Sequence, residues 1–184
     1  MTEPMQRAKQ PVSAALAGPY GHPFHPIAVT VPIGAWVASL VFDIGSRLAG
    51  DPTSLTEGSR WLIGIGVVGA LGAAMIGFLD LFAIPAGTRA YRVGLVHMTL
   101  NLLVTVAYVG NFAWRLGSDD RLGVAAGPLE LSAASLVALG FSGFLGGKLA
   151  FRYGVRVADE TTQAEGYERP APRLDPRAAR SQEN

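Results

Sequence analysis

The feature that most constrains this chain is a set of four apolar stretches, each about 20 residues or slightly longer and almost free of charge. A helix needs about 20 such residues to cross a hydrocarbon layer roughly 30 Å thick. That layer holds no water, so every backbone N–H and C=O must be satisfied inside its own segment, which a helix does. The spacing predicts helices at about 27–49, 61–84, 95–114 and 129–151. A soluble core helix rarely runs so long without a polar face. The expected fold class is therefore all-α, an integral membrane four-helix bundle. The connections, about 49–60, 85–94 and 115–128, are short enough to make successive helices antiparallel neighbours, up-down-up-down.

Composition agrees with this placement. Charged residues make up 16% of the 184, against about a quarter in soluble domains, and they gather in the tails and connections. Net charge is +1, so no basic field points to nucleic acid. There is no cysteine, which excludes disulfides, thiolate metal sites, iron–sulfur ligation and c-type haem attachment. Residues 1–20 show no sustained periodicity and are expected to form a mobile tail, with no cleavable signal peptide. Residues 158–184, rich in Arg, Pro, Glu and Ala, are expected to be disordered. That leaves 21–157 as the transmembrane domain.

With four passes both termini share one side. That side would carry Arg7, Lys9, Arg89, Arg92, Lys148, Arg152 and Arg156, and the other Arg47, Arg60, Arg115 and Arg121. The positive-inside bias then puts both termini in the cytoplasm.

Rotation at 100° per residue sorts the helix faces. On the third segment His97, Asn101, Tyr108, Asn111 and Arg115 fall within about 40° of one line. Polar groups facing lipid are costly, so this stripe is expected to face the bundle interior. The second segment has a stripe of small residues, Gly66, Gly69, Ala73 and Gly77, ending at Asp80. The fourth repeats it with Ala133, Gly140, Gly143 and Gly147, spacings that let helix backbones approach. On the first segment Pro32, Trp36, Ser39, Asp43 and Arg47 share a face, and Asp43 and Arg47, one turn apart, can pair.

The same topology brings the three histidines to one membrane face. His22 and His25 precede the first segment, Asp80 ends the second, and His97 opens the third. Imidazole and carboxylate are natural ligands of zinc, copper, nickel or non-haem iron, and two imidazoles can hold a haem iron axially. His22, His25, Asp80 and His97 are the candidate metal ligands, and His22, His25 and His97 the candidate haem ligands, with Asn101 supporting His97. Each of His22 and His25 is followed by proline. That argues against both chelating from one helical face and for a stiff entry strand over the bundle end. A capping or ion-pairing role explains the same residues. No catalytic motif is present, so an enzyme acting alone is not expected.

GHPFHPIAVTVPIGAW at 21–36, GFLDLFAIPAGTRA at 77–90, HMTLN at 97–101, the Asn111–Arg115 pair and GGKLAFRYGVRV at 146–157 resemble the DUF2231 family. That is a family of small bacterial inner-membrane proteins of unknown function. The resemblance covers about 21–157 and implies a four-helix membrane domain, sometimes joined to Rieske-type or other redox modules. It brings no established catalytic residues. Three readings stay open. The first is a haem b or transition-metal protein of the bacterial inner membrane serving a membrane redox partner. The second is a transport or proton-handling component using the polar stripe. The third is a non-enzymatic membrane scaffold.

Overall fold

A computed structural model describes residues 3–13, 21, 23–118 and 122–167. Among them the regular structure is all helical, without strands: α1 Glu3–Lys9, α2 Phe24–Ala28, α3 Thr30–Ser46, α4 Thr53–Leu81, α5 Arg89–Leu116, α6 Ala126–Gly147 with a π-helical turn Lys148–Arg152, and α7 Glu160–Glu165. Four helical stretches are long and apolar enough to cross a membrane: Phe24–Ser46, Thr53–Leu81, Arg89–Leu116 and Ala126–Arg152.

Each helix begins three to eight residues before its apolar stretch, and the first two end three residues short of theirs, because hydrogen bonding, not hydropathy, decides where a helix starts and stops. The second begins eight residues before Trp61, where the Asp51 carboxylate accepts the Thr53 N–H just ahead of the first turn. The third starts at Arg89 because the Thr88 hydroxyl caps it, accepting from the Tyr91 N–H at 3.1 Å.

Contacts along the helices pair the start of each with the end of the next. Phe42 lies beside Gly58, Trp36 beside Gly66 and His25 beside Gly77; Trp114 lies beside Gly127 and His97 beside Gly146. α3 and α5 run the same way, since His25 faces His97 and Trp36 stacks on Tyr108. The buried apolar centre is Trp36, Ile63, Ala70, Val104 and Tyr108. Most other large apolar side chains, such as Val68, Met75, Val106 and Phe144, point outward, as a lipid-facing surface requires.

Three local expectations are corrected. The entry to the first span is not an extended strand: Phe24–Ala28 is a helical turn, with extended Pro23 before it. The break falls at Val29, because Pro32 has no N–H to give the Ala28 carbonyl. On α6 the small residues Gly140 and Gly143 face open space, and the buried face is Pro128, Ser132, Ser135 and Ser142. The terminal segments are also not featureless where described. α1 and α7 approach each other, with Lys9 Nζ 3.4 Å from Glu160 and the Arg156 N–H donating to the Ala8 carbonyl. Both therefore sit at the histidine end of the bundle.

Candidate functional site

Two polar clusters occupy opposite ends of the bundle interior, with an aromatic pair between them. The first is built on Arg115, 1% exposed. Its Nη1 and Nη2 donate to the two carboxylate oxygens of Asp43 at 2.6 and 2.7 Å, and its Nε donates to Asn111 Oδ1 at 2.7 Å. The two remaining N–H groups reach Ser59 Oγ at 3.2 Å and Ser132 Oγ at 3.4 Å. All five guanidinium donors are thus taken. Ser59 also donates to Asp43 at 2.6 Å, and Asn111 Nδ2 donates to the Pro128 carbonyl and Ser132. α3, α4, α5 and α6 each contribute, so the cluster ties the four helices together and leaves no polar atom of the guanidinium for a ligand.

This sets aside the pairing of Asp43 with Arg47 that their spacing allows. Asp43 points into the interior, where Arg115 stands at the same depth and offers two parallel N–H bonds. Arg47, the cap after α3, turns outward and donates its Nε to the Val124 carbonyl at 2.9 Å.

Between the clusters Trp36 and Tyr108 stack face to face, centroids 4.1 Å apart and planes 7° from parallel. Each donates to a carbonyl of the following helix, Trp36 Nε1 to Ile63 at 3.4 Å and Tyr108 Oη to Ser132 at 3.3 Å. Gly66 makes room for the indole; a Cβ there would overlap Nε1.

At the other end His25 and His97 face each other, centroids 6.4 Å apart with planes at 83°. His25 Nδ1 lies 3.0 Å from the Ala73 carbonyl, and His97 Nδ1 lies 2.8 Å from the Ser142 carbonyl. A carbonyl oxygen only accepts, so each Nδ1 carries a proton, which leaves Nε2 as the ring nitrogen that could act as a ligand. A backbone acceptor on the far nitrogen is the arrangement usual for metal-ligating histidines. Glycines on the neighbouring helices seat the rings. A Cβ at Gly77 would stand 2.7 Å from His25 Cε1, and one at Gly146 3.1 Å from His97 Cε1. Asn101 Nδ2 gives its two protons to the His97 carbonyl and Ser142 Oγ, both at 2.8 Å, holding α5 to α6 beneath the ring.

Of the candidate ligands, His25 and His97 are brought together. Asp80 is engaged by Arg156, whose Nε lies 3.1 Å from Oδ1. Among the described residues no three His, Asp or Glu side chains form a metal-holding group, and His22 lies outside those residues. Ser59, Ser132 and Ser142 were not singled out from the sequence. Serine blends into an apolar segment, and only its place opposite Arg115 or His97 marks it.

A family model described as "Predicted membrane protein (DUF2231)" matches residues 21–159. The chain belongs to the DUF2231 family. The DUF2231 match takes in the four spanning helices, both polar clusters and the Arg156–Asp80 pair, and leaves α1 outside. No curated protein and no solved structure matches the chain.

Proposed function

We propose that this DUF2231 protein holds one metal centre between His25 and His97 and passes electrons through it to a redox partner in the membrane. The observation that carries the reading is the disposition of the two rings. The ring centres lie 6.4 Å apart at one end of the bundle, near enough for both imidazoles to hold one ion at metal–nitrogen distances of about 2.0–2.1 Å. Both Nδ1 atoms are occupied by carbonyls, which leaves Nε2 of each ring for an ion; His97 Nε2 has the Asn101 amide nitrogen 3.2 Å away, and an ion bound there would take that nitrogen's place. With two protein ligands, haem b fits the donor set best, because the porphyrin supplies the iron's other four ligands. Bound there, it would supply one-electron chemistry. A bare transition-metal ion would draw on further ligands, and Asp80 would have to leave Arg156 to serve as one. On the lysine and arginine bias, the histidine end belongs on the cytoplasmic side of the bacterial inner membrane.

A polar path for protons or a solute has less support. The Trp36–Tyr108 stack stands across the stripe that such a path would follow, and Arg115 is saturated. A scaffold whose polar residues only fix helix register is separated by the test itself. Protein purified in detergent from haem- and metal-replete cells should show a Soret band or one equivalent of metal by elemental analysis. Both His25→Ala and His97→Ala should lose it. Colourless, metal-free protein would overturn the proposal.

A further inference from the structure

We infer that the four spanning helices are two copies of one helical hairpin, and that the histidine site takes one ring and one carbonyl–glycine seat from each copy. On α2, α3 and α5 the interior residues match at a single offset, the 72 residues that separate Asp43 from Arg115. The same offset relates His25 to His97, Trp36 to Tyr108 and Ser39 to Asn111. On α4 and α6 the offset is 69, because Arg115 and Ser132 are 17 residues apart where Asp43 and Ile63 are 20, the helix ends flanking the second connection being shorter. It relates Ala73 to Ser142, Ile63 to Ser132 and Gly77 to Gly146.

The hydrogen bonds repeat with the residues. His25 donates to the carbonyl of Ala73 and His97 to that of Ser142; Trp36 donates to Ile63 and Tyr108 to Ser132. In both copies the glycine one turn beyond the histidine's acceptor is the residue whose missing Cβ admits the ring. The strings AWVASLVFD at 35–43 and AYVGNFAWR at 107–115 keep the pattern in the sequence.

Equivalent residues also meet each other: ring faces ring at 6.4 Å, indole stacks on phenol at 4.1 Å, and carboxylate pairs with guanidinium at 2.6 Å. Self-meeting of equivalent positions is the signature of a two-fold axis, here running along the bundle between α3 and α5. The histidine site lies on that axis, so its two ligands are equivalent by construction and Gly77 and Gly146 are matched positioning residues. At the opposite end identical copies would have brought like charges together. Asp43 against Arg115 marks where the copies diverged.

The ligand part of this inference rests on the proposed metal centre; the tautomer part does not. Nitrogen-15 spectra of histidine-labelled protein in detergent, assigned with His25→Ala and His97→Ala, should show both rings protonated at Nδ1 and bare at Nε2. Haemin titration of the same protein should then be weakened by Gly77→Ala, where a Cβ would stand 2.7 Å from the ring, and less strongly by Gly146→Ala, where it would stand 3.1 Å away. Gly72→Ala and Gly143→Ala, where a Cβ meets nothing within 4 Å, should leave it unchanged. Each seat variant should disturb the ring signal of its own hairpin. A ring bare at Nδ1, or a seat glycine whose replacement changes neither ring signal nor binding, would overturn the inference. Failure of the unaltered protein to take up haemin would instead count against the proposed haem centre, and the tautomers and the seat variants' ring signals would still decide the repeat.

Discussion

Removing the carboxylate of Asp43 should be among the most damaging single changes in this protein. Asp43 and Arg115 are 0% and 1% exposed and joined by two bonds of 2.6 and 2.7 Å. In Asp43→Ala the guanidinium loses both carboxylate bonds, keeps Asn111, Ser59 and Ser132, and carries an uncompensated charge buried in the bundle. Breaking one side of such a pair costs about 3–5 kcal/mol. An unfolded membrane chain keeps its helices and finds other polar partners, so the lower end applies, about 3 kcal/mol, or roughly a hundredfold in the folding equilibrium. Arg115→Ala should cost a similar amount, because the carboxylate is then stranded with Ser59 alone. Replacing both with apolar residues of similar size, Asp43→Leu with Arg115→Met, removes the charges together and should come within about 1–2 kcal/mol of the native protein. The internal repeat adds a sharper case. Exchanging the two, Asp43→Arg with Arg115→Asp, puts each group at the equivalent position of the other hairpin and should be tolerated better than either single charge reversal. Equilibrium unfolding in mixed micelles, followed by circular dichroism, measures all of these. Single losses below about 1 kcal/mol that simply add in the double variant would refute the account, since contacting residues must show coupling.

Gly66→Ala should destabilise by about 1–3 kcal/mol through overpacking against the Trp36 indole, seen as a lower unfolding midpoint and altered indole fluorescence. At α7, the Thr162 N–H donates to Asp159 at 2.8 Å and holds that carboxyl below its usual range. A lowered folded value means that the cap's contribution is full above the ordinary aspartate pKa of about 3.9 and is lost as pH falls through the lower folded value. Amide exchange at Thr162 should accelerate, beyond its intrinsic pH dependence, only in that acidic window; uniform protection across it would remove the cap from the account.

The sequence by itself determined the solvent and the element type. Four charge-poor stretches of spanning length leave helices as the only way to satisfy the backbone in lipid, and their polar residues had to face inward. That logic placed Asn111 and Arg115 on one stripe of α5, and His97 at its head, without any knowledge of their partners. Partner choice was not legible, because it depends on depth and rotation across helices rather than on spacing along one. Arg47, one turn from Asp43, is nearer in sequence, yet Arg115 at 72 residues' distance takes the carboxylate because the fold sets it opposite at the same level. The glycines show the same limit. Gly77 and Gly140 are alike as letters, but one seats an imidazole while the other faces open space. The duplication lay in the sequence as a 72-residue echo of an alanine–aromatic–valine pattern. Two turns of helix are too short an echo to stand out among so many apolar residues. Tertiary structure made it visible, because only folding brings each residue against its own equivalent.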